Sequence, residues 1–186
     1  MAQTQPDPDA VDKQPSESAQ NGDGRFRIAD LSRFHADPDK FFDFSYRQTL
    51  HDMVQAVIEA EAPVREDILA QRIARAHGWQ RTGRRIRDQI AKHLREVDRT
   101  EESSGDFLWK KGTVASRVAY RPPAGPAHRR AVGEIAIAEL SDVVEANLAL
   151  LDEDDPPLVL ARLIDVERLS ASARARLEEA IERTRP

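Results

Sequence analysis

Large apolar residues recur along this chain with the three-to-four spacing of amphipathic helices over most of its length. Leu50, Met53, Val54, Val57 and Ile58 predict a helix from Arg47 to Ala62, stopped by Pro63. Ile68, Leu69, Ile73 and Ala76 predict a second helix. Glu66 and Asp67 lie in its first turn and His77-Gly78 at its end, where glycine serves as a left-handed cap. After a turn through Trp79 and Gln80, Thr82 reads as the N-cap of a third helix. Its inner face is Ile86, Ile90, Leu94 and Val97, and its outer face carries Arg84, Arg87, Asp88 and Arg95.

The period then changes. Asp106 to Lys110 and Arg117 to Arg121 are rich in aromatic or β-branched residues and flank Lys111-Gly112-Thr113, which predicts a small β-hairpin. Pro122, Pro123, Gly125 and Pro126 break the chain, and a helical pattern resumes from Ile135 to Leu151. Asp152 to Asp155 and Pro156-Pro157 interrupt it before a short helix at Leu158 to Ile164 and a last one from Ser170 to Thr184, with Ala173, Leu177 and Ile181 inward. Residues 87 positions apart also correspond. Ala74-Arg75 matches Ala161-Arg162, Gln80-Arg81 matches Glu167-Arg168, and Ile86, Ile90 and Leu94 oppose Ala173, Leu177 and Ile181. The fold expected is mainly α: a winged-helix-like unit of three helices plus a β-hairpin at 45–122, followed by a second, helix-turn-helix-like helical half at 123–186.

Residues 1–25 carry almost no large apolar side chain and read as a disordered tail. Residues 26–44 differ sharply. They hold every phenylalanine but one of the chain's 6, and read as a docking segment that packs on the following helices rather than on a separate protein. Over all 186 residues, 40% are hydrophobic but only 5% aromatic, so the core is aliphatic. The absence of Cys excludes disulfides, thiol nucleophiles and thiolate metal sites. No signal peptide opens the chain and no apolar run approaches the roughly 20 residues that span a bilayer, so a cytoplasmic protein is expected.

The net charge of −5 conceals an uneven distribution. Residues 1–44 carry 5 positive and 9 negative side chains, 45–130 carry 17 and 11, and 131–186 carry 6 and 13. Any polyanion contact is therefore confined to the middle segment. From Arg72 to Arg95, the cations Arg72, Arg75, Arg81, Arg84, Arg85, Arg87, Lys92 and Arg95 face a single acid, Asp88. Lys110 and Lys111 join them at the expected hairpin. Arginine suits phosphate and guanine edges because its planar fork donates two parallel hydrogen bonds.

Enzymatic motifs are missing. The chain has no phosphate loop, dinucleotide fingerprint or paired-histidine zinc helix, and His35, His51, His77, His93 and His128 lack local metal-pair spacing. Asp152 to Asp155 lacks the alternating ligands of a calcium loop and reads as an acidic helix start. Pro38-Asp39-Lys40 has no downstream carboxylate-x-Lys partner, so a nuclease site is not assembled. Trp79 and Trp109 read as core anchors rather than base-stacking surfaces. No metal, cofactor, small-molecule substrate or membrane contact is expected, and no catalytic residue is assigned.

Several elements in one order point to a family: Glu61-Ala62-Pro63-Val64, Leu69, Arg72-Ile73-Ala74, Gly78, Arg81-Thr82-Gly83, Arg85-Ile86, Phe107-Leu108-Trp109, Tyr120-Arg121 and Arg130 to Ile135. From Tyr46 to Thr184 the chain resembles the bacterial domain of unknown function DUF3320. That domain typically closes very large proteins with a superfamily 1 helicase and a nuclease similar to very-short-patch-repair endonucleases. The resemblance implies an accessory module of DNA processing or defence, although this chain carries neither the motor nor the nuclease.

The expected function is a non-enzymatic DNA-binding or accessory module. Its contacts with double-stranded DNA would come from Arg81, Arg84, Arg85, Arg87, Lys92 and Arg95 on and around the third helix, and from Lys110 and Lys111 on the wing. The alternative is a protein-docking module that binds a helicase or nuclease partner without touching nucleic acid. Whether the arginine face is open or covered in the folded chain separates the two.

Overall fold

A computed structural model describes residues 23–185, so most of the expected N-terminal tail lies outside the described residues. The chain is mainly helical. Helix α1 is Arg47–Glu61, α2 Glu66–Ala76, α3 Arg84–Ala91, α4 Ile137–Ala146, α5 Pro156–Leu163 and α6 Ala171–Thr184. Strands β1 (Val64–Arg65), β2 (Asp98–Glu102) and β3 (Gly105–Trp109) form one antiparallel sheet in the order β1-β3-β2.

The apolar spacing accounts for the first core. Leu50, Met53, Val54, Val57 and Ile58 of α1 are all buried, and they meet Ile68, Leu69 and Ile73 of α2, Ile90 of α3 and Leu108 of β3. Phe41 is fully enclosed in this core with Tyr46, while Phe34 packs at its edge, so much of the Phe-rich segment docks on its own chain. Trp79 sits edge-on to Phe41 at 4.9 Å and stacks on His77 at 5.4 Å, while Trp109 is buried with its indole N–H donating to Thr100 Oγ1 at 2.9 Å. Trp109 is a core anchor, and Trp79 is half-buried against the first core.

Three sequence expectations are corrected. The β-hairpin pairs β2 with β3 around Ser103-Ser104, so Arg117 to Arg121 is not a strand and Lys111-Gly112-Thr113 is not the hairpin turn. The 117–121 segment runs along α4 instead, because α4 satisfies its backbone donors. Val118 N–H donates to the Ala138 carbonyl at 3.2 Å, and Tyr120 N–H to the Asp142 carboxylate at 3.0 Å. Thr82 does not cap α3. Gly83 holds that position without a side-chain bond, and the Thr82 carbonyl accepts from Arg87 at 3.0 Å. Finally, α3 stops at Ala91, so Leu94 and Val97 are inward residues of the turn beyond it and Lys92 and Arg95 follow the helix.

The second half has its own core: Val132, Ile135, Leu140, Val144, Leu150, Leu160, Leu177 and Ile181 gather between α4, α5 and α6. Pro156 and Pro157 open α5 rather than merely interrupting a helix, since the first-turn N–H groups they lack would have no intrahelical partner. Asp155 caps α5 by accepting from Leu158 N–H at 3.2 Å, and Ser170 caps α6 by accepting from Ala173 N–H at 3.2 Å. The helical run expected to Leu151 ends at Ala146, and a 3-10 turn carries Leu148–Asp152.

Two buried ionic clusters join the halves. Glu139 of α4 is fully buried, accepting from Arg121 at 3.1 Å and Arg130 at 2.6 Å, and Arg121 also donates to the Glu61 carbonyl at 3.1 Å. Glu61 itself is fully buried, taking Arg72 at 3.3 Å and the Ala29 N–H at 3.0 Å. On the other side, Arg176 of α6 is buried against Glu102 of β2 and donates to the Ile135 carbonyl at 2.9 Å. Phe107 and Trp109 pack against Ala136 and Ala138 between these clusters.

Candidate nucleic-acid interface

Helix α3 forms because Ile86, Gln89 and Ile90 turn inward on one face, leaving every charged residue of this short helix on the outside. Arg84 is almost wholly exposed, with Asp88 one turn on at 3.7 Å, a distance at which a solvated pair contributes little. Arg85 lies on the flank, its guanidinium 4.2 Å from the Phe42 ring centroid, and Arg87 folds back to the Thr82 carbonyl. Arg81 in the preceding turn and Arg95 beyond the helix are exposed, and Lys92 Nζ donates to Gln89 Oε1 at 2.9 Å. All six cations are exposed, and among the described residues the only ion pair they make is the one within α3.

The acidic second half does not cover them. Its carboxylates engage other arginines: Asp142 and Glu145 hold Arg117, Glu139 holds Arg121 and Arg130, Asp155 holds Arg174, and Glu179 holds Arg176 and Arg183. Among the described residues no ion pair joins that half to α3. Arg72 is removed from the basic face by its pairing with buried Glu61, whereas Arg75 stays exposed.

The hairpin serves differently from the sequence expectation. Its turn carries Ser103 and Ser104 rather than lysines, and it is clamped by α6: Ser103 Oγ bonds to Glu179, and Glu102 pairs with Arg176. Lys110 and Lys111 follow β3 in the connection beyond it. Lys110 is drawn to Glu59 of α1 at 2.8 Å, and Lys111 is exposed. The hairpin tip is thus part of the interface between halves, and Lys110 is partly neutralised.

A second feature adjoins α3. The 3-10 turn Phe44–Tyr46, the start of α1 and the turn after α3 enclose a cleft of ≈ 550 Å³. Arg47, Lys92 and Arg95 line it with His51 and His93, and Glu96 is its one acid. The His93 ring is buried, and burial first, then the neighbouring His51, Arg47 and Lys92 charges, press its pKa below the ordinary histidine value. Sequence spacing hides this cleft, because Arg47 and His51 lie more than forty positions from Lys92 and His93.

His77 and His128 are structural, whereas the His35 side chain is exposed. His77 Nδ1 bonds to the Ile73 carbonyl at 2.8 Å and Nε2 to Tyr46 Oη at 3.1 Å, while His128 Nδ1 accepts from Ile28 N–H at 3.0 Å. Among the described residues no group of three or more His, Asp or Glu side chains is gathered as metal ligands require, and no helix is long and apolar enough to cross a membrane.

Residues 39–88 match the family model described as "Protein of unknown function (DUF3320)". The matched segment runs from the Phe-rich stretch through α1, β1 and α2 to Asp88 within α3, so it includes Arg81, Arg84, Arg85 and Arg87. Phe107-Leu108-Trp109 and the run from Arg130 to Ile135 lie beyond it. No curated protein and no solved structure matches the chain.

Proposed function

We propose that this chain, with its DUF3320 segment, is a non-enzymatic module that binds double-stranded DNA through α3, in the service of bacterial helicase- and nuclease-dependent DNA processing or defence. The reading is supported by the order α1-β1-α2-α3-β2-β3, with β3 central in the sheet, which resembles the three helices and hairpin of a winged helix, whose third helix would enter the major groove. An α-helix with its side chains is about 10–12 Å across and so fits a major groove about 12 Å wide. The tethered hairpin makes this winged helix one whose phosphate contacts come from Lys92, Arg95 and Lys111 rather than from the wing tip.

The observation that carries this reading is the openness of the arginine face. Arg84 is 88% exposed although thirteen acids lie in the second half, and a cluster of like charges kept apart from available acids costs self-repulsion that an anionic ligand relieves. Fluorescence anisotropy with a blunt duplex across a salt series tests it. Affinity should fall steeply as salt rises, and the variant Arg84→Ala/Arg87→Ala/Lys92→Ala should bind more weakly to every sequence. Absent affinity at low salt, or affinity indifferent to salt, sinks the proposal. A variant that keeps DNA affinity but loses capture of a helicase or nuclease partner favours the docking module instead.

A further inference from the structure

We propose that the cleft beside α3 holds an unpaired nucleotide, so that the protein recognises the junction where duplex DNA gives way to a single strand. The inference rests on the reading of α3 as the duplex-facing element. Its starting point is Phe44, the most exposed large apolar side chain among the described residues, at 81%. An isolated exposed Phe needs no explanation, but this one lines a cationic cleft, with the Arg47 guanidinium 5.0 Å from its ring centroid.

The rest of the cleft supplies what the backbone of a single strand needs. Arg47, Lys92 and Arg95 provide positive charge against one acid, Glu96. His93, 9% exposed, lines the wall beside His51, its ring centroid 6.2 Å away. An aromatic face flanked by cations is the platform on which single-stranded nucleic acids bind, and a volume of this size lies within the range of about 300–1,000 Å³ typical of small-ligand sites. A paired base inside a duplex has no free face for Phe44, whereas an unpaired one does. Lys92 and Arg95 line the cleft and lie in the turn that follows α3, so a strand leaving the groove there meets Phe44 next.

The test compares, by anisotropy with the full chain, a blunt duplex, the same duplex with a short single-stranded tail, and the tail strand alone. The tail should tighten binding by about 5- to 150-fold over the blunt duplex, the range of one stacked base. Phe44→Ala should abolish that gain and leave blunt-duplex affinity unchanged, and its exposure keeps the core out of the comparison. Phe44→Trp should retain the gain, with indole fluorescence quenched by tailed but not blunt DNA. No gain from the tail with wild type, or equal weakening of blunt and tailed binding by Phe44→Ala, overturns the inference. Blunt binding without a tail gain leaves the α3 reading standing and removes the cleft; tailed or single-strand binding without blunt binding does the reverse.

Discussion

Gly78 and Asp165, 87 positions apart, close the same turn in the two halves of the protein. Both are left-handed, at φ 79 and 63, and each lets the next residue reach back across the helix end. Trp79 N–H meets the Ala74 carbonyl at 3.0 Å, and Val166 N–H meets the Ala161 carbonyl at 2.9 Å. The register persists beyond the turn, since Gly83 and Ser170 are the N-caps of α3 and α6.

This relationship predicts opposite outcomes for reciprocal substitutions. A Cβ in the left-handed region costs about 1 kcal/mol, so Gly78→Ala should lower stability by about that amount and Asp165→Gly should raise it. The exposed Arg129–Asp165 contact at 3.6 Å offsets little. Urea midpoints at unchanged slope measure both. Two shifts of the same sign would show that the turns are not equivalent.

Glu139 should make stability fall in acid. Burial opposes its ionisation, but the charges and hydrogen bonds of Arg130 and Arg121 outweigh that and hold its pKa below the ordinary value of 4.5. A carboxyl depressed in the folded state contributes its full stability above its unfolded pKa and loses it as pH falls through the folded one. Wild type should therefore lose stability as pH drops below about 4.5. Glu139→Gln should cost about 3–5 kcal/mol at neutral pH, because two shielded guanidiniums lose their counter-charge, and should show less of the acid decline. Thermal melts from neutral to acid pH follow both effects.

Arg176 occupies in α6 the position that Gln89 holds in α3, and both side chains are buried. Its Nε lacks a partner, so the Arg176–Glu102 pair is imperfectly satisfied. Arg176→Met alone should destabilise by about 3–5 kcal/mol by stranding Glu102, whereas Arg176→Met with Glu102→Leu should recover most of the loss. A double-mutant cycle on denaturant midpoints reads the coupling. A cycle that closes with no coupling would remove the pair as the clamp of the hairpin.

Lys92 and Lys110 should separate in DNA binding. Each phosphate-contacting cation removed lowers the salt slope by about 1. Lys92→Ala should show that change and Lys110→Ala much less, because Glu59 already engages Lys110. Equal slopes for the two variants would place the phosphate contacts elsewhere.

Helices α1, α2 and α6 were legible because their apolar spacing is a local property: Leu50 through Ile58, Ile68 through Ile73, and Leu177 with Ile181 point inward wherever the rest of the chain lies. The left-handed end at Gly78 was equally local, as was the restriction of positive charge to the middle segment. Strand β2 was not legible. Asp98-Arg99-Thr100-Glu101-Glu102 has no apolar residue, and its pairing depends on distant partners: Arg99 bridges Glu66 and Asp106, Thr100 receives Trp109, and Glu102 meets Arg176. Only Ser103-Ser104-Gly105, with Gly105 at φ 128, marked its turn.

The sequence by itself determined which residues face inward along each helix and that the cations concentrate between Arg72 and Lys111, because periodicity and composition are properties of neighbours. Tertiary structure alone decided which cations remain available. Arg72, Lys110, Arg121 and Arg130 are claimed by carboxylates brought from afar, while Arg84, Arg85 and Arg95 are not, and Phe44 is set beside a cleft assembled from the start of α1 and the turn after α3. Charge pairing acts through space at a few ångströms, and chain connectivity does not encode that distance.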